Sequence, residues 1–160
     1  MRLFEDFSML DNLSNGRAHI MAGRGSFIES FPLFGFSLDD YDTLFEDKLM
    51  LLLDLVRKNG TDITWDGRLT QNLRNVNLYP KPVQEQIPVW IAVGGTPASV
   101  LRAARLGLPI TFAIIGGLPV NFKPLVDYYK ENYLAAGHDA TKIQIGINSH
   151  TFAGTSNSIK

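Results

Sequence analysis

At 160 residues the chain is long enough to bury one packed core, and its 45% apolar and 19% charged content is that of an ordinary globular protein. A net charge of −1 without a basic cluster argues against a dedicated nucleic-acid binder, and the lack of cysteine excludes disulfides, thiolate metal sites and cysteine nucleophiles. No apolar run reaches the ~18 residues of a membrane-spanning helix, and the acidic start Met1-Arg2-Leu3-Phe4-Glu5-Asp6 has no signal-peptide pattern. A single cytoplasmic domain over residues 1–160 is expected, without membrane or nucleic-acid partners. His19, His138 and His150 are scattered without ligand spacing, so no metal site is expected.

In chain order, a short helix is expected over 5–14, stopped at Gly16, then a strand over 18–23 and a loop at Arg24-Gly25-Ser26. Residues 39–58 carry the clearest helix. Tyr41, Leu44, Phe45, Leu49, Leu52, Leu55 and Val56 recur at three- and four-residue steps, with acids at the start and bases at the end. A hairpin about Asp66-Gly67 is expected within 63–70, followed by an extended connector at Tyr79-Pro80-Lys81-Pro82. Strand 89–93, helix 97–106 closed by Gly107, strand 109–115, helix 122–135 ending near Gly137, and strand 143–151 complete the chain. Strand–helix alternation implies parallel strands with right-handed crossovers. An open doubly wound sheet and a piece of a (β/α) barrel both satisfy it.

The stretch Val89 to Ser99 reads as a buried strand, a glycine pair and a helix start. Gly94 and Gly95 let the backbone approach a ligand, Thr96 is an N-cap residue, and Pro97 suits the first helical position. Such a helix start attracts anions through its free N–H groups and dipole. Gly94, Gly95, Thr96 and Ser99 are therefore candidate phosphate ligands, although an ordinary tight turn needs the same residues. Gly116-Gly117 is a second glycine turn of the same type. Arg24 has the fork that matches phosphate oxygens, or it pairs with a carboxylate such as Glu29. Trp90 is expected in the core, His19 and His150 as core or rim residues, and His138 exposed in a turn. No nucleophile, general base or triad assembles from spacing.

Leu13-Ser14-Asn15-Gly16-Arg17 and Ala22-Gly23-Arg24-Gly25-Ser26 resemble the bacterial luciferase-like flavin-dependent monooxygenase superfamily. Phe34-Gly35-Phe36, Tyr41 through Leu49, Tyr79 through Gln84, Pro88 through Ile91, Gly94 through Pro97, Arg102-Ala103-Ala104 and Gly107-Leu108-Pro109 follow in the same order. The resemblance implies an α/β fold: a partial (β/α)8 TIM-type barrel. About four parallel strands, matching barrel strands four to seven, would be joined by crossover helices, with a hairpin in the insertion region. It also implies FMN, used reduced and delivered by a separate flavin reductase, or a deazaflavin as in some relatives. The substrate would be a small organic molecule. Arg24 would contact the flavin phosphate, with Gly25 and Ser26 beside it, and Gly94, Gly95, Thr96 and Ser99 would form the helix-start site.

A whole barrel takes roughly 200 residues or more, so the expectation is a truncated product or half-barrel lacking the first three strands and the eighth. Bare sheet edges then favour a homodimer or higher homo-oligomer. The alternative function is a catalytically incompetent truncated relative that folds and self-associates without binding flavin well. A phosphate-binding aldolase-like barrel is a third reading, but no mid-strand lysine is present to form a Schiff base.

Overall fold

The structure is a computed structural model that describes residues 1–25, 27–150 and 154. Its elements are α1 (Arg2–Ser14), β1 (Ile20–Ala22), α2 (Ser30–Leu33), α3 (Tyr41–Arg57), β2 (Ile63–Trp65), β3 (Leu73–Val76), β4 (Val89–Val93), α4 (Pro97–Arg105), β5 (Ile110–Ile114), α5 (Lys123–Ala135) and β6 (Ile145–Ser149). One sheet takes the order β1-β4-β5-β6, and β2 pairs with β3 in a separate two-stranded sheet. β4–β5 and β5–β6 are parallel, with Ile91 opposite Ile110 and Ile110 opposite Ile145. The chain divides into two compact units, Met1–Val89 and Trp90–Lys160.

The first unit is organised by a buried carboxylate. α1 ends where Asn15 turns left-handed and the Gly16 amide donates to the Asp11 carbonyl at 2.9 Å, a glycine-assisted stop as expected. The Asp11 side chain is fully buried. It accepts the Ala18 amide at 3.2 Å, the Gln84 amide at 2.9 Å and the Gln84 side-chain amide at 2.7 Å. The Gln84 side chain also donates to the Ala18 carbonyl at 2.8 Å, just before β1. Further along, the Ile20 amide donates to the Pro88 carbonyl at 2.8 Å. The extended segment before β4 is held a second time at Lys81. Its ammonium donates to the Asn59 and Gly60 carbonyls and the Thr61 hydroxyl at 2.7–2.9 Å, satisfying acceptors just past the end of α3.

α3 buries Leu44, Leu49, Leu52, Leu55 and Val56 of the expected stripe and Leu51 beside it, while Tyr41 and Phe45 are half-buried. The hairpin differs from expectation. Trp65 pairs with Leu73 and Ile63 with Val76, so Asp66-Gly67 opens a loop over 66–72 and is not a two-residue turn. The reason is tertiary. Asp47 on α3 accepts the amides of Arg68, Leu69 and Thr70 at 2.8–3.3 Å and the Thr70 hydroxyl at 2.8 Å. Trp65 Nε1 donates to the same hydroxyl at 3.0 Å. A helix carboxylate satisfies more loop donors than a tight turn would, and the loop lengthens to reach it.

In the second unit, Ile91 and Val93 of β4 are buried, while Trp90 is only half-buried, contrary to its expected place in the core. The two faces of the strand are unequally covered. β5 is buried at Ile110, Thr111, Phe112 and Ile114. Val100, Ala103 and Ala104 of α4 are fully buried, as is Tyr129 of α5, whose hydroxyl donates to the Leu108 carbonyl at 2.9 Å. Burial first, and Tyr133 second, push the Tyr129 hydroxyl pKa up to about 12. His138 is half-buried, not exposed. Its Nε2 lies 3.0 Å from the Arg105 carbonyl, and its ring lies 4.9 Å from that of Tyr133. Gly107, at φ +66°, leaves room for that ring, since a Cβ there would lie 2.8 Å from it. His19 and His150 are both exposed, so neither is a core histidine. The last expected strand ends at Ser149; its residue 151 lies outside the described residues.

Burial pushes the Asp11 carboxyl pKa up, but hydrogen bonds from Gln84, Ala18 and Val83 outweigh it and hold the group below its ordinary value. A carboxyl held low in the folded state stabilises the fold above its unfolded value of ~3.9, and that contribution is lost as pH falls through the folded value. Asp11→Ala is therefore expected to cost on the order of 3 kcal/mol near neutral pH by stranding buried amides. It should also flatten the acid side of the stability profile, read from urea midpoints between about pH 3 and 7. Asp47→Ala is expected to release the 66–72 loop. Amide hydrogen exchange at Leu69 and Thr70 should quicken at least about tenfold, while Leu55 keeps its protection.

Candidate functional site

The second unit carries the sequence-derived anion site at the start of α4. β4 delivers the chain to Gly94, and Gly95 takes φ +120°, a conformation open to glycine. Thr96 then sits extended at φ −85° and ψ 118° in the N-cap position, and Pro97 opens the nine-residue helix. The Thr96 carbonyl starts the helical ladder by accepting the Ser99 and Val100 amides at 3.0 and 3.3 Å. Its hydroxyl makes no capping bond. Among the described residues, the amides of Gly95, Thr96 and Ala98 find no acceptor. A Cβ built on Gly94 or Gly95 would meet nothing within 4 Å, so the backbone faces open space. No acidic residue occupies the first turn of α4. Exposed donors, a helix dipole and no competing carboxylate in the turn suit an anion.

Ser99 lies on the inner side of the first turn of α4. It is buried, and its amide is engaged by the Thr96 carbonyl. Ala98, which sequence reasoning did not single out, is exposed and second in the helix, and among the described residues its amide finds no acceptor. The signal was present in Pro97, because a proline at the first position leaves the next amide as the first available donor. Gly116-Gly117 does not repeat the arrangement. It leads through Leu118 into a 3-10 turn, Pro119–Phe122, before α5 begins.

The first unit holds the other candidates. Arg24 lies just past β1, and its guanidinium is ion-paired with Asp42 and stacked 5.0 Å from the Tyr41 ring centroid. The Tyr41 hydroxyl donates at 2.8 Å to the Arg24 or the Gly25 carbonyl, both of which it reaches. The carboxylate beside Arg24 is thus Asp42; Glu29 is exposed at the start of α2. Gly25 is exposed, and Ser26 lies outside the described residues. Among the described residues no His, Asp and Glu cluster could hold a metal ion, and no helix is long and apolar enough to cross a membrane.

With this geometry in place, comparisons with known proteins agree on one family. The profile of the luciferase-like monooxygenase family matches residues 1–158. The chain is 30% identical over 144 residues to the alkanal monooxygenase alpha chain of Photobacterium leiognathi, covering 89% of this chain and 39% of that protein. Monooxygenase RslO1 from Streptomyces bottropensis has a similar structure, with a TM-score of 0.75 and 26% identity, over 91% of this chain and 44% of its own. The coenzyme F420 dependent tetrahydromethanopterin reductase from Methanopyrus kandleri shares the fold at a TM-score of 0.68 and 16% identity, over 91% and 44% of the two chains. The chain spans less than half the length of these relatives. Of the two architectures that strand–helix alternation allows, the fold is the partial (β/α)8 barrel. The chain belongs to the luciferase-like monooxygenase family.

Proposed function

We propose that this chain serves a flavin-dependent oxidoreductase reaction on a small organic substrate, with the start of α4 holding the phosphate of FMN. One observation carries the reading: Gly95, Thr96 and Ala98 present acceptor-free amides to open space at a helix N-terminus. The residues present fit a phosphate dianion, which accepts several N–H bonds and gains from the helix dipole. Reduced flavin, when bound, supplies the electrons that dioxygen or the substrate accepts. The chain's own part is to hold the phosphate through these amides, while Gly94 and Gly95 keep side chains out of its way. Arg24 and Gly25 belong to the proposal through the family resemblance. Asp42 engages Nη1 of Arg24, and the other N–H groups of the fork are the ones suited to an anion. Delivery of reduced flavin by a separate reductase and a cytoplasmic setting complete the reading.

Riboflavin has the ring of FMN without its phosphate, so the pair isolates the phosphate contact. Fluorescence titration of the purified chain is expected to give FMN at least about tenfold tighter binding than riboflavin, or roughly 1.4 kcal/mol. Gly94→Glu, which places a carboxylate in the open space over the amides, should erase that preference without lowering the melting temperature. Equal affinity for FMN and riboflavin in the unsubstituted chain would overturn the reading. Tighter binding of a deazaflavin than of FMN would reassign the cofactor.

A second reading, a flavin-free chain that self-associates, is favoured by α1, where Leu3, Met9, Leu10 and Leu13 are 48–80% exposed. Light scattering is expected to find a dimer at micromolar concentration and a monomer for the Leu10→Glu, Leu13→Glu double variant. A monomer in both cases would remove the second reading.

A further inference from the structure

Lys48 stands where the pattern of α3 calls for an apolar residue. Its helical neighbours at three and four positions on either side are Leu44, Phe45, Leu51 and Leu52. Leu44, Leu51 and Leu52 are 5–6% exposed. The lysine therefore interrupts a core stripe, and it is itself exposed to solvent. Its ammonium lies 3.9 Å from the centroid of the Phe36 ring. That attraction is weak where water still reaches the pair. Elsewhere Arg57 and Lys58 pair with Asp54, Arg74 with Asp66, and Lys123 with Asp127. Among the described residues no carboxylate lies within ion-pairing distance of Lys48. Desolvation by its apolar neighbours lowers the ammonium pKa from its ordinary value, as expected for a charge held without a counter-ion.

Three cavities of the first unit meet at this side chain. One of about 380 Å³ is lined by Ser30, Phe31, Phe34, Phe36, Leu44 and Lys48. A second, of about 180 Å³, extends toward Arg24 and Tyr41, but Arg24 is already paired with Asp42. The third, of about 200 Å³, lies toward Phe4, Leu51 and Leu52. The largest is of a size suited to a small ligand and walled by three phenylalanines, with Ser30 as its other polar residue. Aromatic walls favour offset or edge-on contact with a planar ring. Among the described residues, Lys48 is the one cation on that wall, and no carboxylate pairs with it.

We propose that the cavity between α2 and α3 is a binding site for an aromatic monocarboxylate, whose ring packs on Phe31 and Phe34 and whose carboxylate pairs with the Lys48 ammonium. The site shares no residue with the helix-start phosphate site, and its test needs no flavin.

The probe is 2-naphthoate, titrated calorimetrically into the purified chain, with 2-naphthamide as its uncharged isostere. Naphthoate is expected to bind at least about tenfold more tightly than the amide, because a charge-assisted bond replaces a neutral one in a partly desolvated site. Lys48→Gln should abolish the preference and leave the melting temperature unchanged or higher. Lys48→Arg should keep most of it. Phe34 is 71% exposed, so Phe34→Ala spares the core, and it should weaken both compounds equally. Naphthoate binding no tighter than naphthamide, or binding that persists undiminished in Lys48→Gln, would overturn the proposal. A lowered melting temperature in Lys48→Gln with naphthoate affinity retained would make Lys48 a packing residue only.

Discussion

Asp11 is a buried carboxylate whose hydrogen-bond partners are amides. Its donors include Ala18 and Gln84, the latter 73 positions along the chain. An ionised carboxylate away from water is costly unless its lone pairs are filled. The end of α1, the approach to β1 and the segment leading to β4 must therefore meet in one arrangement for the charge to be tolerated. Gln84 extends the link to the Ala18 carbonyl, and Asn12 extends it to the Lys81 carbonyl at 2.7 Å. Lys81 in turn closes the end of α3. The apolar core around Phe4, Ile20 and Leu55 supplies the non-directional driving force. The amide cluster selects which segments surround it.

The same chemistry recurs with opposite outcomes. Asp47 collects three loop amides and a hydroxyl, and so sets the length of the β2–β3 connection. At the start of α4 three amides stand exposed, and among the described residues no carboxylate answers them. Thr96 has a hydroxyl able to cap and does not use it. Free amides on exposed backbone cost little while water reaches them, and they stay ready for an anion. Lys48 is the reverse case: a cation beside apolar walls with no counter-charge among the described residues. These two places hold incomplete electrostatics, and incomplete electrostatics mark sites at which a ligand can be recognised.

Elements with short-range causes were legible in the sequence. The stripe from Tyr41 to Val56 placed α3 to within two residues at its start and one at its end, because helical spacing repeats every turn. Pro97 and Gly107 bracketed α4, one by fitting the first helical position and the other by adopting φ +66° beyond the last. The start of α1 was less legible, since Met1 offers no side-chain cap to announce it. Asp66-Gly67 is a strong local hairpin cue, but Asp47, about twenty residues earlier, outcompetes it. His138 is held by the Arg105 carbonyl and the Tyr133 ring, and neither is visible from its place beside Gly137.

The sequence by itself determined the alternation of strands and helices, the glycine-pair helix start and the family. Those depend on backbone geometry and local periodicity, or on short blocks kept in one order along the chain. The tertiary structure alone decided that Arg24 meets Asp42, that Ser99 turns inward while Ala98 offers its amide, and that Lys48 stands at the junction of three cavities. Each of these is a question of which distant groups share a volume and how much water is left between them. Spacing along the chain does not encode that, because contact and desolvation are properties of the folded packing.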